Sequence, residues 1–314
     1  SGRLLPTGTE TLTGRVNRVT LLPLSAGEVL GVPTQWLAET LDAGEPPNVR
    51  SEVDRDGVFE LVAAGGYPGA LERPTLRLRH RWFASYVSTV ADRDLPTHVD
   101  IRNPGAISRL YRLAAERTAT VVTMAEMARR LDVKPQTTRS YLDLLDRTYL
   151  VHELPSWTVG LSARVGRKPK LHVTDTGLAA SVLGFDAARL GRMPVGGSFL
   201  ESFVVTELIK QAAMIDEPLA LAHFRDRTGV EVDLVVERSD GSVVAVEVKS
   251  AAAVNRSDGK GLRFLRDRLG DRLVAGVVFH TGPLTVQLDD RIWATPVSAL
   301  WGGTGLPSDQ NGRT

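Results

Sequence analysis

The chain has 314 residues, long enough for two or three domains, and its 38 basic side chains nearly balance 37 acidic ones, so any attraction to nucleic acid must come from local patches. It has no cysteine, which excludes disulfides, thiolate catalysis and Cys-ligated zinc and agrees with a reducing compartment. The six histidines are scattered with no metal-ligand spacing, and there is no apolar run of about 18 residues and no basic-then-apolar leader, so the expectation is a cytoplasmic prokaryotic protein without a membrane partner.

Residues 15–30 predict a short apolar strand, a stop at Pro23, and a helix capped by Ser25 with Glu28 three positions on. Residues 42–57, rich in Asp, Gly, Pro and Glu, predict a mobile loop before a helical stretch broken by Gly65, Gly66, Pro68 and Gly69. From Leu76 to Leu95 the pattern is an amphipathic helix whose Trp82, Phe83 and Tyr86 are core.

Two further helices follow, marked by Ile107, Leu110, Tyr111 and Ala114 and by Met124, Met127, Ala128 and Leu131. Thr123 and Glu126 form a capping box for the second. After a short turn, Pro135 opens a third helix that buries Thr138, Tyr141, Leu142 and Leu145. Residues 148–155 predict a strand to which residues 170–173 pair back. This order is that of a winged helix-turn-helix, presenting Gln136, Thr137, Arg139, Ser140 and Asp143 outward, with Arg164, Arg167, Lys168 and Lys170 in a basic loop suited to phosphates. Double-stranded DNA is one expected partner; the same fold also serves protein-protein contacts or homo-oligomers, and Asp143 on the exposed face weakens the DNA reading while the basic loop strengthens it.

Residues 175–184 predict a helix, and residues 196–214 a strongly apolar one with Ser198 as its cap. Glu201 shares the apolar stripe with Val205 and Leu208; a cation, a metal or the positive helix end each accounts for it. Residues 230–250 read as a hairpin. A three-residue turn Ser239-Asp240-Gly241, with Gly241 at positive φ, sets Arg238 opposite Ser242, Asp233 opposite Glu247 and Glu231 opposite Lys249. Alternation then places Glu231, Asp233, Val235 and Glu237 on one face. Two facing carboxylates suit Mg²⁺ with Lys249 beside them, or else Glu231 and Lys249 form an ion pair and Asp233 tolerates Glu247.

Asp233, Glu247 and Lys249 in a D-x(13)-E-x-K arrangement, after a helix bearing Glu201, resemble the PD-(D/E)XK nuclease-like superfamily. The order αβββαβ over residues 176–300 is similar as well. With "GGYPGAL", "RWFASYVSTVADRDL", "KLHVTDTGLAASVLG" and "FLESFVVTEL", nearly the whole chain resembles prokaryotic AAA-superfamily ATPases that join a winged helix to a C-terminal nuclease-like domain of unknown function. The resemblance implies an α/β multidomain chain: a remnant of the AAA core at 1–30, a helical lid-like region at 31–105, a winged helix at 106–175, the nuclease-like domain at 176–300 and a disordered tail at 301–314. It implies Glu201, Asp233, Glu247 and Lys249 as a nuclease-type quartet, the three carboxylates holding Mg²⁺ and Lys249 assisting the water. The family's G-x-x-x-x-G-K-[ST] loop and acidic strand end do not occur, and the chain opens on Ser1. A chain lacking the upstream phosphate-binding half is therefore expected, with no ATP bound or hydrolysed. Either a Mg²⁺-dependent nuclease or an inactive regulatory and interaction module fits these residues.

Overall fold

The computed structural model describes residues 20–90, 104–158 and 168–303. The capping box expected at Ser25 starts α1 (Ala26–Leu30), with Glu28 Oε2 accepting from the Ser25 backbone at 2.7 Å. Thr20–Leu24 is irregular rather than a strand. Leu24 bonds to a turn and a side chain instead of a sheet: its amide donates to Gly66 O at 2.8 Å, and its carbonyl accepts from Lys210 Nζ at 3.0 Å. The rest of that expected strand, Arg164 and Arg167 of the basic loop, and the tail beyond 303 lie outside the described residues.

Four helices follow: α2 (Trp36–Ala43), α3 (Arg55–Ala64), α4 (Pro68–Leu71) and α5 (Leu76–Thr89). The stretch expected to be a mobile loop is tied down, because Ser51 donates to Pro283 O and Glu52 to Gly303 O, at 2.8 and 2.9 Å. Asp54 then caps α3 through the Gly57 amide. Phe83 is buried as predicted, while Trp82 and Tyr86 stack on each other, half-buried, with ring centres 5.3 Å apart.

The next unit comprises α6 (Pro104–Glu116), β1 (Thr120–Val121), α7 (Met124–Leu131), α8 (Pro135–Arg147), β2 (Val151–Leu154) and β3 (Lys170–Val173). The predicted stripe Thr138, Tyr141, Leu142 and Leu145 is buried. Thr123 caps α7, but the box is not closed: the Glu126 carboxylate pairs with Arg117. The three strands form an antiparallel sheet in the order β1-β3-β2, so Lys170 is flanked by Val121 and Leu154.

After α9 (Thr176–Leu183) and α10 (Ala187–Arg192) comes α11 (Val195–Ala212). Ser198 lies inside its first turns rather than capping it, since the cap position falls to Pro194. The predicted β4 (Ala220–Arg225), β5 (Glu231–Glu237), β6 (Val243–Val248), α12 (Lys260–Leu269) and β7 (Leu273–His280) are all present. A hairpin of β8 (Val286–Asp289) and β9 (Ile292–Pro296), which the sequence reading did not include, extends the sheet to six strands in the order β4-β5-β6-β7-β9-β8. Among them β6-β7 and β7-β9 run parallel and the others antiparallel. Helix α11 covers one face and α12 the other. One buried core runs from Trp36 through the helices and α11 to Trp301, and a second lies under α12.

Candidate functional site

The hairpin register is the predicted one over most of its length: Leu234 pairs with Val246, Val235 with Ala245 and Glu237 with Val243, and Gly241 takes φ 84°. It stops short of the acids. Between Ala222–Val235 and Phe224–Val232 the partner strand β4 advances two residues while β5 advances three, which is a β-bulge at Asp233 and Leu234. The bulge breaks the alternation, so Val232 and Val235 both face α12 whereas Leu234 and Val236 face α11. Asp233 is thereby re-aimed: its Oδ2 accepts from the Val248 amide of β6 at 2.9 Å, where a ladder bond would otherwise form. The expected pairings of Asp233 with Glu247 and of Glu231 with Lys249 are replaced for this reason.

What Asp233 meets at its other oxygen is Lys170. The Lys170 ammonium is 3 % exposed and lies 2.9 Å from Asp233 Oδ1, 2.9 Å from Glu231 Oε1 and 2.5 Å from Glu201 Oε1. An ammonium has three N–H groups and no acceptor, so three converging carboxylates match its valence. The Asp233 bond has hydrogen-bond geometry, and the Glu201 contact is an ion pair off that angle. Burial works against the charge on Lys170, but Asp233, Glu201 and Glu231 outweigh it and hold the pKa above the usual lysine range.

Local sequence explains how a lysine reaches this point. Strand side chains alternate, so Lys170 and His172 share one face of β3. Both meet adjacent residues of α11: Lys170 meets Glu201, and His172 Nδ1 lies 3.0 Å from Ser202 Oγ, which is 2.6 Å from Thr118 Oγ1. These three polar groups are wholly buried, so they are a docking contact between the helical unit and α11 rather than a nucleophile and its base. Burial, then the nearby Lys170 charge, pushes the His172 pKa well down, so that face meets α11 with a neutral ring.

Glu247 and Lys249 complete the cluster. Lys249 Nζ donates to Glu247 Oε1 at 2.6 Å, and Glu247 Oε2 is buried without a hydrogen-bond partner among the described residues. Burial, and secondly the neighbouring Asp233, pushes the Glu247 pKa up to about 8. Burial followed by Asp233 likewise drives the Glu201 carboxyl well above the carboxylate range. The structure thus brings Glu201, Asp233, Glu247 and Lys249, the four residues grouped by the family resemblance, into one cluster and adds Glu231 and Lys170.

The residues as placed do not fit Mg²⁺. That ion requires oxygens at about 2.0–2.1 Å in octahedral array and keeps several waters, yet the point where three carboxylates meet holds the chain's own Nζ. Among the described residues no three acidic or imidazole groups stand in a metal-holding arrangement.

The expected nucleic-acid face is also altered. Lys170 points into the core. Arg139 Nε donates to Asp143 Oδ1 and its Nη1 to Glu153 Oε1, both at 2.8 Å, so its charge is already matched by two carboxylates. Gln136, Ser140 and Lys168 are exposed and Thr137 is half-buried.

Two family models match successive stretches of the chain. Residues 55–189 match a domain of unknown function, DUF8612, and residues 196–300 match another, DUF4143, which is found in AAA-ATPase-associated proteins. The border between them falls at the α10–α11 junction. Uncharacterized proteins of Mycobacterium tuberculosis and Mycobacterium bovis are each 28 % identical over 287 residues, covering 90 % of this chain and 63 % of their own. The chain therefore spans less than two thirds of the curated relatives it matches. No solved structure matches it, and among the described residues no helix is long and apolar enough to cross a membrane.

Proposed function

We propose that the chain is a non-catalytic regulatory and interaction module, in which a winged helix is locked onto a nuclease-like sheet by an internal cation. The helix-helix-turn-helix-ribbon order of α6 to β3 supports the first part. The order of α11, β4 to β6, α12 and β7 supports the second. The observation that carries the reading is the Lys170 ammonium 2.5–2.9 Å from Glu201, Glu231 and Asp233. A buried ion cluster of this kind fixes which surfaces meet more than it adds net stability. It makes the two units one body for presenting partner surfaces.

A second reading, a Mg²⁺-dependent nuclease acting on DNA, is favoured by the convergence of Glu201, Asp233, Glu247 and Lys249. It requires Lys170 to leave the cluster. Titration calorimetry with Mn²⁺, together with a cleavage assay on single- and double-stranded DNA, separates the two. The interaction reading expects neither binding nor cleavage by the unaltered chain; saturable Mn²⁺ binding abolished by Asp233→Asn, with cleavage, sinks it.

A further inference from the structure

The six-stranded sheet has two edges, and they are treated differently. On β4 the chain closes its own edge: Ser156 bridges to His223, Trp157 donates to His223 O at 2.6 Å, and His223 donates to Pro155 O at 2.8 Å. On β8 the closure is begun and abandoned. Arg50 bridges antiparallel to Leu284, and Thr285 donates to Val49 O at 3.2 Å. Continued backwards, the same ladder would bring Pro47 and Pro46 against β8, and neither has an N–H to donate. The chain peels away there and leaves a groove of about 450 Å³ between the two prolines and the strand.

The groove has the size of a ligand site and a definite chemistry. Its floor is the half-buried Trp293, and Val286 is 44 % exposed along its strand side. Glu39 and Glu45 stand exposed on its opposite wall, and neither side-chain carboxylate has an ion-pair or hydrogen-bond partner among the described residues. The edge is short and a register shift falls between Gln287 and Asp289, but its first residues, Val286 and Gln287, carry no lysine or proline and are a template for another strand. Here it is paired with an aromatic floor and two uncompensated carboxylates.

We infer that this groove binds an extended, basic segment of a partner protein, added as an outer strand along β8 with an Arg or Lys side chain reaching Glu39 and Glu45. Main-chain bonds to the edge supply affinity, and the carboxylates with Trp293 supply the selection for a cation. The inference rests on the interaction reading for its purpose, but not on the Lys170 cluster.

The test is selection from a random octapeptide library displayed on phage against the immobilised full chain, with a matched selection on the Glu39→Lys/Glu45→Lys variant, whose changes are on exposed positions. Expected are enriched sequences that alternate apolar residues with Arg or Lys. Synthetic copies should bind the variant about tenfold or more weakly, and Gln287→Pro likewise, while Lys170→Met leaves them unaffected. Enrichment no greater than on an unrelated protein, enriched sequences lacking cations, unchanged binding by the double variant, or sedimentation showing that a second copy of the chain covers β8 would each overturn it. Because Lys170→Met is scored separately, failure of the groove and failure of the ion lock are distinguishable.

Discussion

Lys170 and Asp233 meet at 2.9 Å from strands of two different sheets, and that bond closes the interface between the helical unit and the mixed sheet. Removing the cation leaves three carboxylates facing one another in a buried site. Lys170→Met should therefore cost about 3–5 kcal/mol of unfolding free energy, the range for breaking a buried pair on one side. Urea unfolding with and without millimolar Mn²⁺ adds a diagnostic arm: the ion should stabilise the variant, where carboxylates are left unmatched, and leave the parent unchanged. Equal responses from the two proteins would show that Lys170 does not occupy a cation's place.

The cluster does not treat its acids alike. Glu201 touches Lys170 without a hydrogen bond, and burial and then Asp233 disfavour its charged form, so the shape-preserving Glu201→Gln removes the weakest of the three contacts and should change stability by less than about 1 kcal/mol. Asp233 holds both Lys170 and the Val248 amide, and Asp233→Asn replaces one acceptor with a donor, at a cost of about 2–4 kcal/mol. Parallel denaturant titrations of the two variants give the ordering; a Glu201→Gln cost equal to that of Asp233→Asn would refute it.

The pH dependence follows from Glu247. Its folded pKa of about 8 lies above the ordinary 4.5, so between those values the folded state holds a proton that the unfolded state has released. Stability then falls as pH rises through this window, and the penalty is fully present above about 8. His172, His223 and His280 are lowered, chiefly by burial, and weaken the fold as pH drops below their ordinary 6.5. The interval from neutrality to about pH 8.5 therefore separates the buried carboxyls, Glu247 and the likewise raised Glu201, from the imidazoles. Glu247→Gln should flatten the stability profile there, with the titration followed directly by carboxyl carbon NMR.

Much of this arrangement was legible in the sequence. The stripe Thr138, Tyr141, Leu142 and Leu145, the Ser25 cap and the Gly241 turn are set by neighbours a few residues away, and each is found where spacing puts it. The grouping of Glu201, Asp233, Glu247 and Lys249 was legible only through the family resemblance, while the pairings read from the hairpin pattern, Asp233 with Glu247 and Glu231 with Lys249, do not form. The bulge at Asp233 was not legible, because it exists only relative to β4, and the apolar-polar order of the β5 residues reads as an unbroken alternation in the sequence even though the folded strand departs from it. Lys170 was hidden differently: in the run Lys168-Pro169-Lys170 it reads as one of several loop cations, while its position at the head of the central strand puts it in the core. A signal that could have pointed to it is an imbalance, the four acids Glu201, Glu231, Asp233 and Glu247 set against Lys249 alone. β8 and β9 were missed because their turn, Asp290-Arg291, has no glycine, and Arg291 itself takes the positive φ of 52°.

Arg139 tests the proposed nucleic-acid role of α8. Its guanidinium is shared between Asp143 and Glu153, an arrangement that links α8 to β2 and raises its pKa, first through Glu153. Arg139→Ala should lower stability by about 0.5–1.5 kcal/mol, discounted because the side chain is 39 % exposed. It should leave any binding of duplex DNA, and the salt dependence of that binding, unchanged. A reduced salt slope in fluorescence anisotropy would instead show that the arginine leaves its acids for phosphate.

Gly261 sets how closely α12 approaches the strand that bears two of the acids. A Cβ there would lie 2.2 Å from the Glu231 carbonyl oxygen and 3.0 Å from Val232 Cγ2, and the first of these contacts is backbone that cannot rotate away. Gly261→Ala should therefore displace either α12 or the start of β5, at about 1–3 kcal/mol, the usual cost of overpacking. Lys260→Ala, one residue earlier and exposed, is the matched control and should cost almost nothing. If β5 is the element that yields, Glu231 withdraws from Lys170, and amide exchange should quicken at Lys170 and Leu171 as well as at Val232. If exchange quickens only within α12, the helix has moved and the ion cluster is held independently of it.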